Sequence, residues 1–167
     1  MEEILIISTG GTFNKYYEPS TGTIAIDTQA TTLQEIADKW RTKFSITNII
    51  GKDSLEMDDN DRALLLRSVS QSKYDKIIVV HGTDTMDKSA QTIAEAKLQK
   101  RVIFTGAMTP YRVDKVEATA NLAMALGFLG ADIRDGVYIS MNGIVENYKY
   151  VTKNRDKNKF EMLQSPK

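Results

Sequence analysis

Three stretches of this chain repeat one grammar: an apolar run rich in β-branched residues that stops abruptly in a turn of glycines and hydroxyl side chains. Ile4 to Ser8 runs into Thr9-Gly10-Gly11-Thr12, Lys76 to Val80 into His81-Gly82-Thr83-Asp84-Thr85, and Arg101 to Thr105 into Gly106-Ala107-Met108-Thr109-Pro110. The apolar residues are consecutive rather than alternate, so each run reads as a strand covered on both faces. Helical periodicity follows the second turn, over Ser89 to Leu98, and the third, over Lys115 to Leu129. Strand, polar turn and helix in alternation predict a parallel sheet sandwiched by helices.

The rest of the chain fits the same plan. Leu33, Ile36, Ala37 and Trp40 recur at helical spacing, Phe44 to Ile50 alternates as a strand, and Asp59 to Ser70 carries Leu64, Leu65 and Val69 on one predicted helical side. Val137 to Met141 is a further core strand, followed by the hairpin signal Asn142-Gly143 and then Ile144-Val145. Residues 13 to 27, with Gly22 among hydroxylic side chains, are expected to form a mobile flap. The predicted architecture is an open, mostly parallel α/β sheet of flavodoxin or Rossmann type with helices on both faces. Residues 1–152 form one domain in this reading. Residues 153–167, opening with Lys153 and Asn-Arg-Asp-Lys-Asn-Lys, form a polar tail expected to lie on the surface or to need a partner to order it.

Composition narrows the function. The 167 residues carry 22 Lys plus Arg against 22 Asp plus Glu, which removes the electrostatic footprint of a non-specific nucleic-acid or membrane-surface binder. With no Cys, disulfide scaffolds, thiol nucleophiles and cysteine-bearing zinc sites are excluded. A single His leaves no multi-histidine metal site within one chain. The apolar run at the start is too short for a signal-peptide core or a membrane span, so a cytoplasmic protein is expected.

In an open parallel sheet the turns after the strands meet along one edge, which should bring Thr9 to Thr12, His81 to Thr85 and Gly106 to Thr109 together. Gly10 and Gly11 let backbone approach a ligand. Thr9, Thr12, Thr83 and Thr85 offer hydroxyls and Asp84 a carboxylate, near helix amino termini that favour an anion or a developing oxyanion. Each feature has a plainer reading: a glycine pair is often only a turn, and Thr83-Asp84 often only a helix cap. Repetition at three strand ends favours a site. His81 is a possible base by position, but a histidine at a buried strand end serves equally as a structural hydrogen-bonding group. Asp58, Asp59 and Asp61 lack the glycine and terminal glutamate of a calcium loop and are expected to support the positive end of the next helix. Lys15 and Lys52 are expected to be solvated. Neither Gly-x-Gly-x-x-Gly nor Gly-x4-Gly-Lys-Ser/Thr occurs, so a flavodoxin-like nucleotide binder has no fingerprint here.

Ser8-Thr9-Gly10-Gly11-Thr12, His81-Gly82-Thr83-Asp84-Thr85-Met86 and Thr105-Gly106-Ala107-Met108 closely resemble, in order and spacing, the signatures of the bacterial-type L-asparaginase/glutaminase family. Asp53-Ser54-Leu55-Glu56-Met57 is similar to that family's substrate-carboxylate loop, and Val151-Thr152-Lys153 to its catalytic-lysine segment. The resemblance covers the family's amino-terminal domain. It implies Thr12 as nucleophile, assisted by Tyr16 or Tyr17, with Thr83, Asp84 and Lys153 as a second catalytic constellation. Gly11, Ser54, Leu55, Glu56, Thr83, Asp84 and Ala107 would contact substrate: Ser54 its α-carboxylate, Asp84 its α-amino group, Ala107 its side-chain amide. Leu55 departs from the family, many members having there a polar side chain that reads the amino group.

A threonine hydroxyl is a weak nucleophile and needs a base, which a buried lysine oriented by an acid supplies. Backbone N–H groups around Gly11 and Thr83 would hold the oxyanion. The implied activity is hydrolysis of L-asparagine or a related small amide to the acid and ammonia through a threonyl ester, with no cofactor. A homo-oligomer would supply the wall that full-length members take from a carboxyl-terminal domain. The alternative is a non-catalytic aspartate- or asparagine-binding module, or a subunit of a larger amidohydrolase.

Overall fold

The three apolar runs lie side by side at the centre of one sheet. The computed structural model describes residues 4–163; Met1-Glu2-Glu3 and the terminal Gln164-Ser165-Pro166-Lys167 lie outside the described residues. The elements run β1 (Leu5–Gly10), β2 (Lys15–Glu18), β3 (Thr23–Ile26), α1 (Thr31–Trp40), β4 (Ser45–Lys52), α2 (Asp59–Ser70), β5 (Lys76–Val80), α3 (Met86–Glu95), β6 (Arg101–Thr105), α4 (Lys115–Gly130), β7 (Gly136–Met141), β8 (Ile144–Asn147), β9 (Val151–Asn154) and β10 (Lys159–Met162). One-turn 3-10 helices fill Thr12–Asn14, Ser54–Glu56 and Tyr148–Tyr150.

The main sheet has the order β4-β1-β5-β6-β7-β8, with the first five strands parallel and β8 antiparallel. After β1 the chain moves outward to the edge strand β4, then returns to place β5 on the other side of β1. The winding direction therefore reverses between β1 and β5. Outside the carboxyl ends of these two strands is the crevice where open α/β sheets bind ligands.

Alternate side chains of the central strands feed two apolar layers, as burial on both faces requires. Ile7, Ile77, Val79 and Phe104 pack with Leu65 and Val69 of α2 and Ala90 and Ile93 of α3. Ile6, Ile78, Val80 and Ile103 pack with Leu33 and Ile36 of α1 and Leu122 and Ala125 of α4. Two details differ from the sequence reading. Leu64 is 38% exposed while Leu66 packs on the core, because the stripe of α2 is centred on Leu65 and Val69. Helix α3 starts at Met86 rather than Ser89, and Met86 is fully buried.

Local chemistry sets the ends of these elements. Asp58 caps α2 in a reciprocal box with Asp61, the side chain of each accepting from the other's backbone N–H, so these aspartates do support the helix start. Asn142 and Gly143 both have positive φ, 51° and 84°, as the tight turn between β7 and β8 demands. The expected flap is an antiparallel hairpin of β2 and β3, tied down where the Asp27 N–H donates to the Asn14 carbonyl at 2.9 Å. No helix among the described residues is long and apolar enough to cross a membrane.

The described part of the segment after Lys153, residues 154–163, is ordered by this chain itself, which composition did not reveal. Residues 155–159 are exposed, as their polarity predicts, but β10 pairs back on β9 and Phe160 is buried at 3% exposure in the α2/α3 layer beside Val151. Phe160 lies opposite Lys153 in the ladder. One buried ring thus fixes the strand that carries the lysine. Phe160→Ala should cost about 3 kcal/mol or more, the usual loss for removing a buried phenylalanine, and lower the urea midpoint accordingly. An unchanged midpoint would show that the hairpin contributes nothing to the core.

Candidate active site

Glycine packing makes the crevice possible. Gly11, at φ 76°, lies so close to the β5 turn that a Cβ there would sit 2.5 Å from the Gly82 Cα and nitrogen. On Gly82 a Cβ would in turn sit 2.7 Å from the Cβ and Oγ of Ser54. The turns after β1, β4 and β5 are therefore in backbone contact, which only residues without side chains permit. Thr12, Ser54 and Thr83 are carried on those three turns.

The hydroxyls of the β1 and β5 turns sort by their bonds. Thr9 is fully buried and donates to the Val80 carbonyl at 3.1 Å, and Thr85 donates to the Ser54 carbonyl at 2.8 Å. Both are fixed in place. Thr12 opens its one-turn helix half-buried, and among the described residues its hydroxyl has no hydrogen-bond partner. Thr83 receives a bond from the Lys153 Nζ at 2.9 Å and aims its own proton at the weak acceptor Met108 Sδ at 3.5 Å. Lys153 also donates to the Asp84 Oδ1 at 2.7 Å. Its side chain is 13% exposed, so the contact is shielded from water. Residues 83, 84 and 153, some seventy positions apart, form one cluster. Thr83, Asp84 and Lys153 line a cavity of about 240 Å³ with Tyr148 and Arg155.

The substrate-loop residues divide. Ser54 is 1% exposed, and its Oγ accepts from the backbone N–H groups of Asp84 at 3.2 Å and Thr85 at 3.3 Å. Leu55 is 71% exposed and Glu56 is exposed. Ala107 is buried in the α1/α4 layer with Phe13 and Tyr111. Tyr16 and Tyr17, neighbours on β2, point to opposite sides of the flap. Tyr16 is half-buried and Tyr17 60% exposed, and both border a cavity of about 620 Å³ between the flap, the start of α1 and Pro110–Val113.

Three expectations are corrected. The Gly11 N–H does not face an oxyanion: it donates to the Lys52 carbonyl at 2.9 Å, because the close approach of the β1 and β4 ends gives it a backbone partner. Lys15 is not simply solvated. It pairs with Asp53 at 2.6 Å, joining the root of the flap to the Ser54 turn. Burial pushes the Asp53 carboxyl up, but hydrogen bonds from Lys15 and the Leu55 N–H outweigh it and hold the group below its ordinary range. Lys52 pairs with Asp61 at 2.8 Å.

Sequence reading also passed over Asn14, which is 1% exposed and donates to the Gly10 carbonyl at 2.9 Å and the Ser8 Oγ at 3.3 Å. It braces the turn that carries Thr12. Its only sequence signal was an amide two residues after the Gly-Gly-Thr turn. Arg155, whose guanidinium donates to the Asp84 carbonyl at 3.0 Å, gave no signal at all.

His81 is a structural group. Its Nδ1–H donates to the Gly82 carbonyl at 2.7 Å, so the neutral ring accepts at Nε2 from the Ser89 hydroxyl at 2.8 Å. The ring is fully buried against Phe104. Neither nitrogen is left for a substrate.

Thr-Gly-Gly-Thr and His-Gly-Thr-Asp-Thr turns in backbone contact at the sheet's switch point, with a lysine from a later hairpin bonded to the second, define an α/β protein with a threonine–lysine–aspartate cluster. The chain belongs to the asparaginase family: residues 3–167 match the family model described as "Asparaginase, N-terminal". It is similar to L-asparaginase 2 of Bacillus subtilis (strain 168), at 24% identity over 165 residues, 92% of this chain and 44% of that protein. L-asparaginase 2 of Escherichia coli (strain K12) is 26% identical over 164 residues, 92% of this chain and 47% of that protein. Among solved structures, the thermostable L-asparaginase from Thermococcus kodakarensis superposes with a TM-score of 0.82 at 26% identity, covering 98% of this chain and 52% of that one. The chain thus spans about half the length of the relatives it matches.

Burial, aided by the charge of Arg62 and opposed by the bond to Gly82, pushes His81 down to about 4 from 6.5. Between these values the unfolded chain takes up a proton that the native chain refuses. Stability should therefore be full above pH 6.5 and fall by up to about 3 kcal/mol as pH drops through that window. The lowered carboxylates, Glu18, Glu35 and Glu161 with ordinary values of 4.5 and Asp27, Asp53 and Asp61 with 3.8, lose their contributions toward the acid end of that window and below it. Urea midpoints against pH should show this slope in the wild type from pH 6.5 downward and a flat profile between pH 6.5 and about 5.5 in His81→Gln, with the remaining acid loss below that shared by both. A slope of equal size in both would assign it elsewhere.

Proposed function

We propose that the protein is an amidohydrolase of asparaginase type, acting on L-asparagine or a related small amide. The observation that carries this reading is the Lys153 amine, shielded from water and in hydrogen-bond contact with both Thr83 and Asp84, on loops that belong to the asparaginase family.

In this mechanism the Thr12 hydroxyl, free of other bonds, adds to the carboxamide carbon while a flap tyrosine relays its proton. The tetrahedral oxyanion is held by the Thr12 and Thr83 N–H groups, since Gly11 is committed to Lys52; each such donor is worth roughly 3 kcal/mol. The C–N bond breaks and the nitrogen leaves as ammonia, carrying the threonyl proton. Water then cleaves the threonyl ester, releasing the acid and returning a proton to the Thr12 oxygen. Thr83 serves this second half. As the water attacks, the Thr83 hydroxyl takes a proton from it and passes its own, turned from the Met108 sulfur, to the Thr12 oxygen, so both hydroxyls are restored. The Lys153 N–H on the Thr83 oxygen stabilises negative charge that develops there. Asp84 fixes the amine and, with Arg155 on its carbonyl, keeps its carboxylate aimed at Lys153.

Tyr16 is the better placed of the two tyrosines, being the half-buried one. Ser54, held at the junction of two turns, is the anchor for the substrate carboxylate. The solvent side of the crevice is walled by assembly with another copy of the chain, and no cofactor takes part.

Ammonia release from asparagine, glutamine and simple amides tests the assignment. Thr12→Val and Thr83→Val should each lower kcat by about a thousandfold or more, and Lys153→Met should resemble Thr83→Val rather than add to it. Equal rates in wild type and the Thr12 and Thr83 variants would remove these hydroxyls from the chemistry. Calorimetric binding of aspartate by a wild type without turnover would make the chain a binding module instead.

A further inference from the structure

Arg62 stands on α2, away from every residue placed in the chemistry, yet its side chain is only 12% exposed. Burying a charge to that degree is costly unless hydrogen-bond partners offset the lost hydration. Its carboxylate neighbour does not do so: Asp59 is 3.9 Å away and itself fully exposed. Nε has no hydrogen-bond partner among the described residues, and the two terminal nitrogens go instead to the two ends of the Ser54 turn. Nη1 donates to the Met57 carbonyl at 3.1 Å, at the turn's exit. Nη2 donates to the Thr85 Oγ1 at 3.2 Å, and that hydroxyl donates to the Ser54 carbonyl at 2.8 Å, at the turn's entry. Thr85 is 8% exposed, so this relay lies inside the protein.

The same turn is joined to the β5 loop from the other side. The Ser54 Oγ accepts from the Asp84 and Thr85 N–H groups, and the Met57 N–H closes the one-turn helix onto the Ser54 carbonyl. Ser54 is therefore oriented by a circuit: guanidinium to Thr85, Thr85 to the Ser54 backbone, and the Ser54 hydroxyl back to the start of α3. Removing the guanidinium frees Met57 directly and leaves the Thr85 hydroxyl with no donor to hold its rotamer. The planar fork matters, because two acceptors on different elements must be reached at once. A lysine carries its donors on a single nitrogen and lacks the two-pronged planar geometry that matches these two acceptors.

We infer that Arg62 is a positioning residue for substrate recognition: it acts through Thr85 and Met57 to hold the Ser54 turn against the Thr83–Asp84 loop. This rests on the reading of Ser54 as the group that anchors the substrate carboxylate. Arg62 touches neither substrate nor reacting atoms. Its loss should therefore raise KM and spare the chemical step.

The test uses Arg62→Met, Arg62→Lys, Thr85→Val and the double variant Arg62→Met/Thr85→Val, with two readouts. Hydrogen exchange reports the clamp without any ligand: the Met57, Asp84 and Thr85 amides should exchange about tenfold faster in Arg62→Met, while amides of β6 and β7 keep their rates. Steady-state hydrolysis of asparagine should show KM raised about tenfold with kcat within about twofold. Arg62→Lys should fall between, and the double variant should be no worse than either single variant because both break one circuit. Should Arg62→Met fail to fold, Arg62→Lys and Thr85→Val carry the same comparison. Unchanged exchange at those three amides overturns the clamp. Faster exchange with unchanged KM, or an additive double variant, overturns the positioning role. A wild type that neither binds aspartate by calorimetry nor hydrolyses asparagine overturns the reading of the site and the recognition role with it, while the exchange rates still decide the clamp separately.

Discussion

The candidate site depends on the contact between two backbones, the β1 turn at Gly11 against the β5 turn at Gly82. These strands are neighbours at the point where the sheet's winding reverses, so no helix crosses over the ends that they share. A Cβ on Gly11 would hold the turns apart, and with them the residues that follow, Thr12 and Thr83, while a Cβ on Gly82 would strike Ser54 of the β4 turn. Everything nearby is arranged to maintain that approach. Asn14 braces the first turn from within, His81 locks the second through Gly82 and Ser89, and Ser54 fills the space beside Gly82. The buried neutral histidine is part of this scaffold, and its low pKa is the consequence of its position.

The cluster's cation comes from far along the chain and needs an anchor of its own. A four-residue strand pairing with another is marginal in water unless it packs on a core. Phe160 and Val151 supply that packing, and the ladder then sets Lys153 beside Thr83 and Asp84. The hydrophobic effect thus positions an ion pair: the apolar side chains fix the hairpin and the polar contact follows. On the other side, the Lys15–Asp53 pair links the flap to the Ser54 turn, so the elements that would cover and hold a substrate are mechanically joined.

How much of this was legible in the sequence follows from what each feature depends on. Strands buried on both faces are continuous apolar runs, and β1, β5, β6 and β7 were readable for that reason, as was the tight turn at Asn142-Gly143. The convergence of the threonine turns followed from topology alone. The β9–β10 hairpin was not legible, because a polar stretch with one decisive phenylalanine looks like a tail. Arg62, Lys15 and Lys52 were also misjudged or overlooked, since their partners are set by tertiary packing and no spacing rule connects residue 62 with residue 85, or 15 with 53. The Gly11 amide shows the same limit: a glycine announces a close approach, but not which backbone is being approached.

The central claim is that the Thr12 and Thr83 hydroxyls address one carboxamide between them. A crystal structure of the protein soaked with L-aspartate, the product of asparagine hydrolysis, tests it most directly. The account predicts the side-chain carboxylate of the aspartate between the Thr12 and Thr83 oxygens, with its α-carboxylate against Ser54. Aspartate bound elsewhere, or an occupied crevice in which either hydroxyl turns away from the ligand, would contradict it.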